Sequence, residues 1–410
     1  MNSALRPPEP GPARPTSFGR WLERASKRTL SRWLARAAPA RPIDAADLVA
    51  APVERLLVVR QHNQMGDMVC ALPALRALRR AYPRARLTFV ASPLCEELLR
   101  DHPDIDALVV FDKWAMWRPW RLAALLRRLR RPRPDLAFVM TTVSFSTTSA
   151  LLAWASGARL RVGASSLPFG WHLSRAVYNL ELPLGPPGLH EVEHNLAPLR
   201  AVGIPAPLES PSLVPSPAAV QRARAFVESS FGSEAAGPLV AVHAGAGKAA
   251  NLWPADGFGT VLQTLRRERQ ARVLLIEGPG DAATIGALAA RLGGAPRWRA
   301  ALGETLGLLA LADLVLCNDT GIAHVAAAVG APTLVLFGPT DPQRWRPLGE
   351  QVRVLRSPTG RIADLDAETV LRAALEATAH SFHPGTPLHG TKFSTATRRD
   401  RTGATRPSAP

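Results

Sequence analysis

The chain has 410 residues, too many for one ordinary core and enough for two α/β domains with tails. It is 47% hydrophobic, so a large core can be buried, and Lys plus Arg outnumber Asp plus Glu by 50 to 33, a formal charge of +17 that suits an anionic partner. The basic excess clusters in the N-terminal segment, around Arg118–Arg133 and in the C-terminal tail rather than along a folded core, which argues against nucleic acid as that partner.

The first 50 residues divide in two. A Pro-rich stretch reads as disordered. Phe18, Trp21, Leu22, Ala25, Leu30, Trp33 and Leu34 then recur at roughly helical spacing, with Arg20, Arg24, Lys27, Arg28, Arg32 and Arg36 between them. This basic amphipathic helix either lies on an anionic membrane or packs on the protein's own body. The N-terminus carries no apolar core of a secretory signal, and no segment has the apolar length of a membrane span. The expected location is the cytoplasm, and on the first of the two readings of the helix an anionic membrane face is its docking surface. Cys70, Cys95 and Cys317 are far apart and form no C-x-x-C pair, so they read as buried free thiols of a reducing compartment, not as a disulfide framework or zinc site.

From Arg55, strands alternate with helices. Strand runs stand at Leu56–Val59, Leu87–Val90, Leu108–Phe111, Leu136–Val139 and Leu160–Val162, with helices at Met68–Ala81 and Arg121–Leu129. Such alternation implies a parallel sheet with right-handed crossovers. The Pro-rich segment from Ile204 to Pro217 reads as the interdomain region. A second series follows, with strands at Leu239–His243, Val273–Ile276, Leu314–Cys317, Thr333–Phe337 and Val352–Leu355. Its helices run through Phe258–Arg267, Ala282–Leu292, Leu306–Ala312 and Ile322–Val329, and a final one near Ala367–Ala377 is capped by Asp366. The expected organisation is an N-terminal segment (1–50), two α/β domains (51–205 and 206–380) and a disordered basic tail (381–410).

Three candidate sites fall at strand-to-helix turns, which lie at the ligand-binding carboxyl edge of a parallel sheet. The first is Arg60-Gln61-His62-Asn63-Gln64-Met65-Gly66-Asp67, followed by Leu72-Pro73-Ala74-Leu75-Arg76. Asp67 is either an ordinary helix N-cap or a carboxylate that takes a proton from an attacking hydroxyl. The second is His243-Ala244-Gly245-Ala246-Gly247-Lys248, then Asn251-Leu252-Trp253-Pro254. It is neither a Walker A loop nor G-x-G-x-x-G. Gly245 and Gly247 would let backbone N–H groups approach an anion and Lys248 would add charge; a plain Gly-rich turn is the other reading. The third is Asn318-Asp319-Thr320-Gly321-Ile322-Ala323-His324, with Gly338-Pro339-Thr340-Asp341-Pro342 after the next strand. Thr320, Gly321 and Ile322 would present N–H groups to a phosphate, and His324 stands about one turn on, on a face that can point back to the same site; a capping Asp319 with a core-satisfied His324 is the other reading.

These motifs, in this order, resemble those of the ADP-heptose:lipopolysaccharide heptosyltransferase family, glycosyltransferase family nine. Gly66-Asp67, Leu72–Arg76, Asp319–His324 and Gly338–Pro342 carry the resemblance, which spans about Leu56 to Ala377. It implies two Rossmann-like, doubly wound α/β domains facing across a cleft, the GT-B type. It also implies metal-independent transfer with inversion from ADP-heptose or a related nucleotide sugar to a lipid-linked anionic glycan. By position, Asp67 corresponds to the general base, with Arg60, Gln64 and Gly66 as its acceptor-side neighbours. Thr320 and Gly321 correspond to diphosphate binders, Asp319 and His324 line the donor site, and Asp281 lies near the donor ribose. No metal or other cofactor is expected. The chain departs from the family at Asn251-Leu252-Trp253-Pro254, where a basic residue often precedes Trp-Pro; Lys248 is the candidate substitute. A different donor, or a nucleotide-sugar binder without turnover, are the competing readings, and the presence of Asp67 argues against the second.

Overall fold

The computed structural model describes Thr29 and residues 40–381, apart from 62–63, 114–117, 141–144, 170–171 and 187. The amphipathic helix expected over Phe18–Leu34 lies, Thr29 excepted, outside these residues, as does the tail from 382. Strands β1 (Arg55–Val59), β2 (Arg86–Ala91), β3 (Ala107–Val110), β4 (Leu136–Val139), β5 (Leu160–Ala164) and β6 (Leu180–Leu182) form one parallel sheet, in the order β3-β2-β1-β4-β5-β6. Strands β7 (Leu239–His243), β8 (Arg272–Ile276), β9 (Arg297–Trp298), β10 (Leu314–Asn318), β11 (Thr333–Phe337) and β12 (Val352–Arg356) form a second, in the order β12-β11-β10-β7-β8-β9. Each sheet starts in the middle, winds outward over its first three strands, then crosses back and winds the other way. Both therefore reverse direction between their first and fourth strands, β1/β4 and β7/β10, where a crevice opens at the carboxyl edge.

The strand sequences explain the layering. Strands β7, β10 and β11 are buried at every residue, as expected of parallel strands covered on both faces. Period-two alternation sends their side chains to separate cores. Leu57 and Val59 of β1 face an outer cluster with Ala150, Leu173 and Tyr178, whereas Leu56 and Val58 face a middle cluster. Leu239 and Ala241 of β7 face that same middle cluster, while Val240 and Val242 face the outer core of the second sheet with Trp253 and Phe258. The apolar middle layer thus runs continuously from one sheet to the other. Within it the Met65–Cys70 helix, which follows β1, packs on the Gly321–Ala328 helix, which follows β10.

Several local features differ from the sequence expectation. The helix expected over Met68–Ala81 is two, Met65–Cys70 and Leu72–Ala81, broken at Ala71. Pro73, which lacks an N–H, fits only the first turn of the second. Strands β6 and β9 are additions, as are the helices Pro93–Leu99, Thr147–Ala155, Glu191–Ala201 and Pro217–Phe231. The Pro-rich segment 204–216 is free of helix and strand, and Asp366 accepts from the Thr369 amide at 2.9 Å as the cap of the last helix. Cys70, Cys95 and Cys317 are buried and form no disulfide. Among the described residues, no helix is long and apolar enough to cross a membrane.

Candidate functional site

The first turn is braced from beneath. Arg60, the residue after β1, is only 3% exposed. Its guanidinium donates from Nη1 to Asn195 Oδ1 at 2.8 Å and to the Met140 carbonyl at 3.2 Å, and from Nη2 to the Asp67 carbonyl at 2.9 Å. Arg60 therefore ties the turn to the end of β4 and to the Glu191–Ala201 helix through its two terminal nitrogens, while its buried Nε has no hydrogen-bond partner among the described residues. Gln64 is exposed and takes the N-cap position of the Met65–Cys70 helix. Asp67 sits in the first turn, beyond the cap. Its carboxylate accepts no hydrogen bond among the described residues. Burial raises its pKa above the usual carboxylate range, the Arg60 charge opposes that, Glu191 adds to it and Arg344 opposes it again. A half-buried carboxylate without a fixed partner is free to accept a proton from a ligand.

Two glycines bring the facing turn close. A Cβ on Gly66 would lie 3.1 Å from His324 Cδ2, and one on Gly321 would lie 2.9 Å from Met65 Cβ. The amino ends of the two helices meet at these positions. Helix geometry leaves the first amides of the Gly321–Ala328 helix without intrahelical acceptors. Thr320, its N-cap, makes no side-chain cap bond. His324 is turned onto the facing helix: its ring lies against Gly66, and its Nδ1 is 3.6 Å from Cys70 Sγ. Burial pushes its pKa down to about 4, with a smaller contribution from His190, so the ring is neutral at neutral pH.

The donor-side wall is a network around the ends of β7 and β10. Asn318, fully buried, donates to the carbonyls of Ala244 at 3.0 Å and Gly245 at 3.2 Å and accepts from the Trp253 amide at 3.2 Å. Asn251 donates to Asp319 Oδ2 at 3.1 Å and Thr340 Oγ1 at 3.4 Å. In the stretch where the resembling family often carries a basic residue, Leu252 directly precedes Trp253 and the Asn251 amide before it fixes Asp319. Burial raises the Asp319 pKa, against the Thr340 hydroxyl and the Lys248 charge. Lys248 is exposed at the rim. Asp281 packs on Gly245, where any Cβ would come within 2.3–2.5 Å of its carboxylate. Its Oδ2 is 3.3 Å from His243 Nε2 and accepts from the Gly278 amide at 3.2 Å. These contacts, His243 foremost, hold its pKa below the usual carboxylate range despite partial burial. Gly247, by contrast, stands in open space.

The structure thus gathers Gly66, Asp67, Gly321 and His324 at one junction, and Gly245, Asp281, Asp319 and Thr320 along the adjoining wall. Sequence reading assigned no role to His243, Asn195, Glu191, Asn318 or Arg344. Arg344 Nη2, from the second half of the chain, lies 3.7 Å from Glu191 Oε2 in the first, and His190 Nε2 is 2.8 Å from the Arg346 carbonyl. Only His243 and Asn318 lay within a motif already singled out. Among the described residues, no group of three or more His, Cys, Asp or Glu side chains is placed to hold a metal ion.

A family model described as glycosyltransferase family 9 (heptosyltransferase) matches residues 122–374, more than half of the chain. Lipopolysaccharide heptosyltransferase 2 of Salmonella typhimurium is 27% identical over 307 residues, covering 72% of this chain and 86% of that protein. The crystal structure of a glycosyl transferase family 9 protein from Veillonella parvula superposes with a TM-score of 0.70 at 21% identity, over 80% of this chain and 97% of its own. The E. coli ADP-heptose lps heptosyltransferase II does so with a TM-score of 0.66 at 23% identity, over 80% and 99%. Doubly wound sheets meeting at their carboxyl edges are the GT-B architecture that these structures share. On the family match, this chain belongs to glycosyltransferase family 9, the heptosyltransferases, and is a glycosyltransferase.

Proposed function

We propose that this protein transfers heptose, with inversion and without a metal, from ADP-heptose to a lipopolysaccharide core or a similar envelope glycan. The observation that carries the reading is the junction of a free, half-buried carboxylate, Asp67, with the amino end of the Gly321–Ala328 helix. The acceptor-side domain is residues 51–205 and the donor-side domain residues 206–380. Asp67 takes the proton of the acceptor hydroxyl as its oxygen bonds to the anomeric carbon. The bond from that carbon to the diphosphate breaks on the opposite face, and ADP leaves with the electron pair. First-turn amides, the Thr320 hydroxyl and Lys248 stabilise the departing charge, so that no cation other than protein groups is required. Asp319 and Asp281 complete the donor wall, and His324 couples it to the acceptor side through Gly66 and Cys70.

The donor choice is supported by the ADP-heptose named for the E. coli structural relative, and the acceptor class by the Salmonella relative's name. The protein works at the cytoplasmic face of the inner membrane. Supporting this, the Pro119–Arg130 helix buries only Leu129 and exposes Trp120 among Arg121, Arg127, Arg128 and Arg130. A different nucleotide sugar is the second reading, favoured by Asn251 and Leu252 where a basic residue is common. Purified protein incubated with ADP-heptose and acceptors of graded truncation, with products identified by mass, tests the assignment. Heptosyl product is expected; product only with another nucleotide sugar would move the assignment to the second reading.

A further inference from the structure

His243 stands 7% exposed at the end of β7, with both ring nitrogens engaged. Nε2 is 3.3 Å from Asp281 Oδ2, and Nδ1 is 3.5 Å from Thr320 Oγ1. Asp281 is itself built into place, by the Gly278 amide at 3.2 Å and by Gly245, the residue type that leaves room for its carboxylate. A chain Asp281–His243–Thr320 therefore runs from the turn after β8 to the N-cap that opens the Gly321–Ala328 helix. Thr320 has no cap bond to hold its hydroxyl otherwise.

The protonation state of the ring decides what that hydroxyl does. A neutral ring that donates to Asp281 from Nε2 leaves Nδ1 as an acceptor, so the Thr320 O–H points inward at the imidazole. A doubly protonated ring donates at both ends. Thr320 Oγ then accepts from Nδ1–H, and its own proton turns outward to a ligand oxygen. We propose that His243, as an imidazolium held by Asp281, is the positioning residue that turns the Thr320 hydroxyl onto the donor's diphosphate and supplies positive charge behind it. This rests on the reading of the wall as a nucleoside-diphosphate site. It also gives that wall an internal cation where Leu252 stands in place of a basic side chain.

The groups around the ring fit the role. From the turn after β8, Asp281 makes the carboxylate contact, while Glu277 is engaged by Arg299 at 2.8 Å and Arg297 at 3.6 Å. From β10, the register partner of His243 is Cys317, whose thiol is kept un-ionised by burial. Asp319 is bound by Asn251, and Lys248 of the same loop is exposed. Asp281 on one side and a diphosphate beyond Thr320 on the other would place negative charge at both ends of the ring.

The test is calorimetric binding of ADP to the full chain between about pH 5.5 and 8.5, in buffers of differing ionisation heat, for wild type, His243→Gln and Asp281→Asn. Wild type is expected to take up a proton on binding and to lose affinity as pH rises. His243→Gln should bind roughly tenfold or more weakly at the acid end, with no proton uptake and little pH dependence. Asp281→Asn, which keeps shape but removes the charge, should begin to lose affinity at a lower pH than wild type, and it carries the test should His243→Gln fail to fold. Wild type that binds ADP without proton uptake, or variants that keep the wild-type pH dependence, would overturn the assignment to His243. No ADP binding by folded wild type would instead remove the nucleoside-diphosphate site itself.

Discussion

His324 joins the two halves of the molecule, and its protonation should weaken that junction measurably. The ring is buried against Gly66 and Cys70, and its pKa is pushed from 6.5 down to about 4. The folded pKa is the depressed one, so the unfolded chain binds the extra proton between these values. The contribution to stability is therefore complete above 6.5, is lost as pH falls through that value, and levels off below about 4. At about 1.4 kcal/mol per unit, acidification from about pH 7 to about pH 5 should cost about 2 kcal/mol through this one residue. His102, His190 and His194 are also depressed by burial, so the raw slope contains their shares. Urea unfolding of wild type and His324→Gln at both pH values isolates the term together with its smaller interaction with His190, since groups that do not act on His324 cancel in the difference. The variant should be less stable at neutral pH and should lose about 2 kcal/mol less than wild type on acidification. Parallel losses in the two proteins would refute the neutral, buried ring and the tight junction with it.

Two further outcomes follow from geometry. Gly245→Ala places a Cβ within 2.3–2.5 Å of the Asp281 carboxylate, which must leave its His243 and Gly278 contacts. ADP affinity by calorimetry should fall roughly tenfold or more while the circular dichroism spectrum is kept. On the Pro119–Arg130 helix, Trp120 is 68% exposed. Trp120→Ala together with Arg127→Glu and Arg128→Glu should weaken sedimentation with vesicles rich in anionic lipid by roughly tenfold or more, at about 1 kcal/mol per basic residue. Equal wild-type binding to neutral and anionic vesicles would remove that face as a membrane contact.

What the sequence made legible followed from local signals. Runs such as Leu239–His243 and Thr333–Phe337 announce buried parallel strands, and the Gly-Asp and Asp-Thr-Gly turns mark the strand ends. Strands β6 and β9 escaped because three and two residues are too short to show a period. The Met65–Ala81 break escaped because the apolar pattern continues across Ala71, and only the demand of Pro73 for a first turn divides it. In the site, Asp67, Thr320, Gly245 and Asp281 carry signals of residue type at a turn. The pairing of His243 with Asp281 and Thr320, and of Glu191 with Arg344, links residues far apart in the chain and exists only once the sheets are assembled. Arg60 is the instructive case. A basic residue at a strand end reads as a ligand contact, yet burial beneath the turn makes it a strut for the Asp67 carbonyl.

The transfer kinetics of Asp67→Asn, measured beside its affinity for ADP, test the division of labour between the two turns most directly. Loss of the base should lower kcat/KM by about 10²–10⁴-fold while ADP affinity stays within about twofold of wild type. Turnover near the wild-type rate in a folded Asp67→Asn protein would contradict the assignment of the proton-accepting step to this carboxylate.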